Sequence, residues 1–376
     1  MSAPLTILHL THEGHGAGSS ISIALLARAQ AAAGHRVVVG CPPGTWLEGR
    51  IRDDGGAAFA PIGFADTALA ADEIERLTWV LKIDLVNAHS SKDRSATRRL
   101  RFQRRLFPAL VMTRRGMPMS TLASGIMSGF AADRTIAVSR PVARALIARG
   151  TPPWRISVVN NAVDLARVDR PVGDEERFRV SALIDRPASV QSPQSPQERP
   201  VIGVVSRQKD HDTLLKALEF VTTPVTLCAV GFFPDQYLSS LKPPALHRVV
   251  WVPFQDDVRA FYDRFDVVAL PTRSEGMSQS LLEAMALGKP VVTTARGGNT
   301  DLVQDGVNGL LVPPRDPRSL GTAIQRLLAD PALRARVGAA ARRRVREDFT
   351  IQRTLEQTDA VYRAALARRP RKAPGL

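Results

Sequence analysis

Apolar and polar positions along this chain follow two periods that take turns. Short, nearly unbroken apolar runs recur, among them LTILHL, HRVVVGCP, DLVNAHS, ALVMTRR and TIAVSR. Each is too short for a helix and lacks a polar face, the pattern of a strand covered on both sides. Between them lie stretches with apolar residues three and four apart. ISIALLARAQAAAG is the clearest, and Gly34 at its end suits the left-handed turn that closes a helix. The rhythm restarts at PVIGVVSR and continues through HDTLLKALEFV, VTLCAVGF, RVVWVPF, DDVRAFYDRF, DVVALPT, QSLLEAMALG, KPVVTTA and GLLVPP. Alternating strand and helix predict parallel sheets wrapped by helices, hence two doubly wound α/β domains.

From 166 to 200 the period is lost, and PASVQSPQSPQERP, rich in Pro, Ser and Gln, reads as a linker. The expected division is a first domain over 1–184, a linker over 185–200 and a second domain over 201–350. Residues 351–376 would form a C-terminal helix packing back toward the first domain, followed by a basic tail. Residues 317–369 read as one long amphipathic helical stretch. No repeat of about 20–50 residues is present.

Composition sharpens this picture. A chain of 376 residues suits two cores, and 44% hydrophobic with 23% charged residues is globular. Cys41 and Cys228 sit in strand-like runs and read as free buried thiols in a reducing compartment. MSAPLTILHLTHEG has no basic leader and reads as a first strand, and no apolar stretch reaches about 18 residues. The expected location is therefore cytoplasmic. The net charge of +15 is uneven: nine Lys/Arg between 92 and 115 face a single acid, Asp93. A solvated face, an anionic membrane, a phosphorylated acceptor or nucleic acid would each suit that run. Only Phe102 and Phe107 interleave with its arginines, which speaks against base stacking.

Ligands of doubly wound sheets bind at the carboxyl ends of the strands, and two such domains make a shared cleft the expected active site. The loop over 273–278 follows the strand DVVALPT, and a helix begins near Ser278 or Gln279. The first amides of that helix suit a phosphate, and Gly276 permits close approach. Glu275 in the loop and Glu283 within the helix could flank a diphosphate and accept sugar hydroxyls. The same spacing also suits a capping Glu275 and a surface Glu283.

LPTRSEGMSQSLLEAMALGKPVV followed by GGNTDLVQDGVNGLLVPPRDPRSL resembles the signature of glycosyltransferase family 4. AGHRVVV, DLVNAHS, IAVSRPVARALIARG, ISVVNNAVDL and VIGVVSR extend the resemblance over about residues 5–164 and 201–361. It implies the GT-B fold, two Rossmann-like domains whose parallel sheets face a central cleft, and retaining transfer from a nucleotide sugar. By position, Glu275 would contact the transferred sugar, beside the amides of Gly276, Met277 and Ser278. The amides of Ser280 and Leu281, next to Gln279, would hold the diphosphate, and Glu283 the ribose. Gly-Met-Ser stands where the family usually has Gly-Phe-Gly, so the sugar stays open. Arg207 takes the place of the family arginine, and Lys209 that of the lysine at a shortened spacing. Two cations there would neutralise the leaving diphosphate in place of a metal.

Other motifs carry less. Asp210-His-Asp212 looks like a metal motif but opens a helix, where N-capping is expected. His12, Glu13 and His15 lack a metalloprotease spacing and a third ligand, so no metal is expected. His15, Gly16 and Gly18 would form a turn approaching phosphate or acceptor. His89 ends a strand and would face the cleft, where the resemblance implies contact with the donor sugar; His35 reads as structural. Val252, Pro253 and Phe254 are candidates for the nucleotide base. Arg94, Arg98, Arg101 and Arg105 at helical spacing would make a cationic face for a membrane, and Arg114 and Arg115 would meet an anionic acceptor.

The expected function is metal-independent, cofactor-free retaining transfer of a hexose from a UDP- or GDP-sugar. The acceptor would be a membrane-associated glycolipid, such as lipopolysaccharide core, or an envelope polysaccharide. The protein would sit on the inner face of the cytoplasmic membrane, with no specific nucleic-acid partner. The rivals are a sugar-nucleotide epimerase or hydrolase of the same fold, a basic nucleic-acid-binding protein, and a membrane scaffold with a degenerate site.

Overall fold

Every apolar run singled out above becomes a strand in the computed structural model, which describes residues 3–106, 108–118, 121–185, 199–207, 209–231 and 234–368. In chain order the strands are β1 Thr6–Leu10, β2 Arg36–Cys41, β3 Ala57–Pro61, β4 Leu85–Ala88, β5 Ala109–Arg114, β6 Arg134–Ala137 and β7 Ile156–Val158. The second half adds β8 Val201–Val205, β9 Thr226–Val230, β10 Arg248–Val252, β11 Val267–Leu270, β12 Val291–Thr294 and β13 Leu310–Val312. They form a seven-stranded sheet in the order β3-β2-β1-β4-β5-β6-β7 and a six-stranded sheet in the order β10-β9-β8-β11-β12-β13. All pairings are parallel, with Leu8 opposite both Val38 and Val86 in the first sheet.

Helices cover both faces of each sheet, so strand interiors are sealed: Ile7, Leu8, Leu85, Val86, Leu110 and Val111 have no exposed surface. Each such side chain contributes about 1.5–3 kcal/mol of burial. In both sheets the chain starts in the middle, builds outward to one edge, then crosses to the other side. The strand order therefore reverses between β1 and β4 in one sheet and between β8 and β11 in the other, and loops diverge there to leave crevices at the carboxyl edge.

The chain divides into Met1–Ala162 with Ile351–Leu376, and Val163–Thr350. The boundary thus falls well before the expected linker, almost all of which lies outside the described residues. The reason is local. Leu165–Val168 is a short helix, and Asp174–Asp185 is a second helix where sequence suggested lost order. The latter is tied to helix Arg259–Arg264 by Arg264 Nη2 to Asp185 at 2.8 Å and Arg177 Nε to Asp263 at 3.3 Å. Residues 317–369 are likewise three helices, Pro317–Ala329, Pro331–Asp348 and Ile351–Leu366, each of the first two opening on a capping Asp and a Pro.

The helix Ile351–Leu366 belongs to the first unit, where Val361, Tyr362 and Ala365 pack with Ile7, Leu85 and Val111. His35 is structural as expected: its Nδ1 accepts the Leu5 amide at 3.1 Å and its Nε2 faces Asp359 at 3.4 Å. Cys41 and Cys228 are free and buried. The basic tail from 369 onward, and Phe107, lie outside the described residues.

Candidate functional site

In the second unit, loops from five strands gather at the carboxyl edge of the sheet. The loop after β11 is strapped to the end of β12. Thr294 Oγ1 donates to the Thr272 carbonyl at 2.8 Å, Thr293 Oγ1 donates to the Leu270 carbonyl at 2.7 Å, and the Gly298 amide donates to the Glu275 carbonyl at 3.1 Å. The strap needs Gly297 and Gly298, because a Cβ would stand 2.0 Å from the Glu275 carbonyl oxygen at the first and 1.8 Å from that of Gly276 at the second. Gly231, at the end of β9 with φ +125°, presses on the Ser206 carbonyl in the same way. None of these three glycines was singled out from sequence; GGN after a strand was the available signal.

Helix Gln279–Ala286 begins where expected. Ser278 caps it, its Oγ accepting the Leu281 amide at 3.3 Å. That bond takes one of the two amides assigned to a diphosphate. The Ser280 amide has no acceptor among the described residues, so the anion-seeking end of the helix is carried there. Tyr262, fully buried, donates its hydroxyl to the Ser280 carbonyl at 2.9 Å and holds this turn in place. Met277 is 4% exposed. Its side chain is buried.

Lys209 reaches Glu275 despite its shortened spacing, Nζ to Oε2 at 3.1 Å. The loop after β8 is shaped for this by Arg273, whose Nε donates to Asp210 at 2.7 Å and whose Nη2 donates to both oxygens of Asp212 at 2.9 Å. Asp210 makes no capping hydrogen bond to helix His211–Ala217. The Asp-x-Asp pair instead anchors Arg273; among the described residues no cluster of three metal-ligating side chains occurs. Arg207 is exposed, with no carboxylate partner among the described residues. Phe254 presents a half-exposed ring beyond β10, next to exposed Pro253, while Val252 is buried.

Glu283 is partly accessible, beside Tyr262 and the helix Leu165–Val168. Desolvation pushes its carboxyl up to about 7; Arg167 opposes the shift, while Asp257 and Asp164 add to it. Tyr262 is raised well above its ordinary value by burial and then by Glu283. A surface-charge reading of Glu283 does not survive this environment.

In the first unit the crevice between β1 and β4 holds a buried polar chain. Arg115 Nε donates to His89 Nδ1 at 3.3 Å, His89 Nε2 meets His9 Nδ1 at 2.8 Å, and His9 Nε2 meets Gln30 Oε1 at 2.7 Å. Because Arg115 can only donate, each histidine carries its proton on Nε2. Burial lowers His9 to about 4 and His89 well below its ordinary value, the latter helped by Arg115. Asn87 and Tyr362 continue the network at 2.7 Å. His89 is therefore 2% exposed with both ring nitrogens engaged. It braces the strand ends and presents no nitrogen to a sugar.

The arginine stripe is also engaged by the protein itself. Arg94 donates to the His89 and Thr113 carbonyls, Arg98 to Ser124 and Ser128, Arg101 to Asp133 at 3.0 Å, and Arg105 to Asp72 and Glu75. Those four are structural ties and not a membrane face. Arg115 is half-buried, held by His89 and Asn161, and burial pushes it down to about 10. Arg114 is half-buried at the end of β5; burial, then Arg94 and Arg149, lower it to about 9. In the loop after β1, His15 is exposed and Gly18 opens helix Gly18–Ala32, which has no side-chain cap. The glycine that close packing requires is Gly14, against Thr45 at 2.4 Å, rather than Gly16 or Gly18.

Two parallel α/β units, each with loops gathered at its switch point, define a protein of the GT-B class. The model of Glycosyltransferase Family 4 matches residues 16–167, and that of Glycosyl transferases group 1 matches residues 199–330. The chain belongs to the family 4 glycosyltransferases. A D-inositol 3-phosphate glycosyltransferase of Salinispora arenicola is 34% identical over 254 residues, 63% of this chain and 56% of that protein. The lipopolysaccharide core biosynthesis mannosyltransferase LpcC of Rhizobium leguminosarum is 27% identical over 221 residues, 56% of this chain and 60% of that protein. The chain thus spans a little over half the length of these curated relatives. The crystal structure of Anabaena Alr3699/HepE in complex with UDP-glucose superposes with a TM-score of 0.81 at 19% identity, covering 96% of this chain and 100% of the other.

Proposed function

We propose that this chain transfers a hexose-type sugar, with retention and without a metal, from a UDP- or GDP-sugar to a membrane-associated glycolipid or envelope polysaccharide. The observation that carries this is the Lys209–Glu275 pair at 3.1 Å, set beside the open turn of helix Gln279–Ala286 at the β8/β11 switch point. Cation, carboxylate and unpaired amide converge where a sugar diphosphate would lie. Arg207 and Lys209 balance the leaving diphosphate, the Ser280 amide donates to its phosphate oxygen, and Glu283 accepts hydrogen bonds from ribose hydroxyls. Glu275 is left for the sugar. The bond from anomeric carbon to phosphate oxygen breaks, the acceptor oxygen bonds the same face, and the acceptor proton passes to the departing phosphate. No side chain is then needed as a base.

The UDP-glucose in the Anabaena protein favours UDP as the donor base, and the Rhizobium relative favours an envelope glycan such as lipopolysaccharide core as acceptor. This reading puts the chain at the cytoplasmic face of the membrane. Among the described residues no helix is long and apolar enough to cross a membrane. A thermal-shift panel of UDP-, GDP-, ADP- and TDP-sugars identifies the base, since a ligand of the native state raises its Tm. Glu275→Gln should lower turnover by at least about 10²-fold, the scale of losing one aligned polar group, with donor-induced Tm shifts retained. Wild-type turnover in that variant removes Glu275 from the reaction, and rapid epimerisation of donor alone would replace the transferase reading.

A further inference from the structure

Helix Leu122–Ala131 segregates its residues by size. Gly125 and Gly129 face inward, where a Cβ would stand 2.0 Å from the Arg149 carbonyl oxygen and 2.9 Å from Pro152 Cδ. Ser124 and Ser128 face the neighbouring helix Ser91–Phe102, accepting from Arg98 at 3.3 and 3.2 Å. The large apolar residues are left outside. Leu122, Ile126, Met127 and Phe130 are 58, 38, 46 and 61% exposed, at the spacing of one helical stripe. Trp154, 71% exposed, extends the patch, and Arg155 beside it stacks on the Phe130 ring at 5.4 Å. Scattered exposed apolar residues are ordinary; a contiguous stripe of this kind marks a surface that something covers.

The surroundings say what. Residues 91–155 hold fourteen Lys/Arg against two acids, Asp93 and Asp133, so twelve of the fifteen net positive charges of the chain lie in this segment. Both acids are occupied, Asp93 in the cap of helix Ser91–Phe102 and Asp133 by Arg101. Lys92, Arg99, Arg104 and Arg144 are exposed and have no carboxylate partner among the described residues. We infer that the stripe of helix Leu122–Ala131 and Trp154 docks on an anionic lipid surface, its rings entering the headgroup level while the surrounding cations meet lipid phosphates. Short helices with an apolar face and a basic surround bind membranes in this way, and Trp favours that interface. The inference extends the functional reading above by giving the membrane a place on the molecule, and replaces the arginine stripe for which sequence argued.

The test is cosedimentation with vesicles of phosphatidylglycerol and phosphatidylcholine, against phosphatidylcholine alone, without donor or acceptor. Wild type should partition onto the anionic vesicles and release as salt rises. Met127→Ser with Phe130→Ser should lower partition at least about tenfold, and Arg99→Glu with Arg144→Glu comparably. Brominated lipid should quench wild-type fluorescence more than that of Trp154→Phe. Equal partition of wild type and variants overturns the inference, as does equal binding to neutral vesicles or quenching indifferent to Trp154. A concentration-dependent dimer abolished by the serine pair would also overturn it, making a second copy the occupant. Vesicle binding without sugar transfer would instead sink only the transferase reading.

Discussion

Glu283→Gln isolates one carboxyl and should change both stability and its pH dependence. The folded chain holds the Glu283 proton up to about 7, against an ordinary value of 4.5. Between those limits the unfolded chain has released the proton while the native state keeps it. Native protein therefore binds more protons, and stability falls as pH rises through the window before levelling above 7. The full interval corresponds to about 3 kcal/mol. Glu283 retains some solvent, which screens the effect, so about 1–2 kcal/mol is the working figure. A glutamine mimics the protonated form at every pH. The two proteins should then melt together near pH 5, with the variant about 3–6 °C higher by pH 8, since each kcal/mol moves Tm by about 2–4 °C in a unit of this size. Other titrating groups are common to both and cancel in the difference. Scanning calorimetry from pH 5 to 9 measures it directly. In the same samples, donor affinity of wild type should rise between pH 6 and 8, as the carboxylate forms and accepts ribose hydroxyls, while the variant stays weak and flat. A Tm difference that is constant with pH, or that grows toward acid, refutes the burial argument.

Two further perturbations probe how the loop after β11 is held. Gly298→Ala places a methyl 1.8 Å from the Gly276 carbonyl oxygen and should cost about 1–3 kcal/mol or more in urea unfolding, with the donor-induced Tm shift lost. Gly173→Ala, with no atom within 4 Å of its added Cβ, is the neutral control. Arg273→Ala leaves buried Asp210 without its cation and should destabilise by about 1–3 kcal/mol. Arg273→Lys should recover only part in the same urea titration, because a point ammonium cannot span both aspartates as the guanidinium fork does.

Much of the loop after β11 was legible because its geometry is local in sequence. A strand end, a glycine, a capping serine and a helix start are consecutive in LPTRSEGMSQSLLEA, and each imposes backbone geometry on its neighbours. The partner of Glu275 was legible only as a lysine out of place; Arg273 gripping Asp210 and Asp212 is what brings Lys209 within 3.1 Å. Distant carboxylates and guanidinium groups leave no periodic trace. The boundary at Ala162 was hidden for a similar reason, because helix Asp174–Asp185 is held mainly by ion pairs and two buried apolar residues, Val180 and Ile184.

What the sequence determined by itself is the alternation of buried strands and covering helices, since unbroken apolar runs cannot be solvated on either face. Which face of a helix looks inward was decided only by packing. The arginines at 94, 98, 101 and 105 looked like an exposed cationic stripe, yet Arg94, Arg98 and Arg101 find carbonyls, serines and a carboxylate within the unit, and Arg105 pairs with Asp72 and Glu75. LASGIMSGFA is rich in apolar residues, yet its glycines are what the neighbouring backbone can approach, and Leu122, Ile126, Met127 and Phe130 are left facing out. Close approach selects the smallest side chains, so the face richest in hydrophobic area need not be the one that is buried.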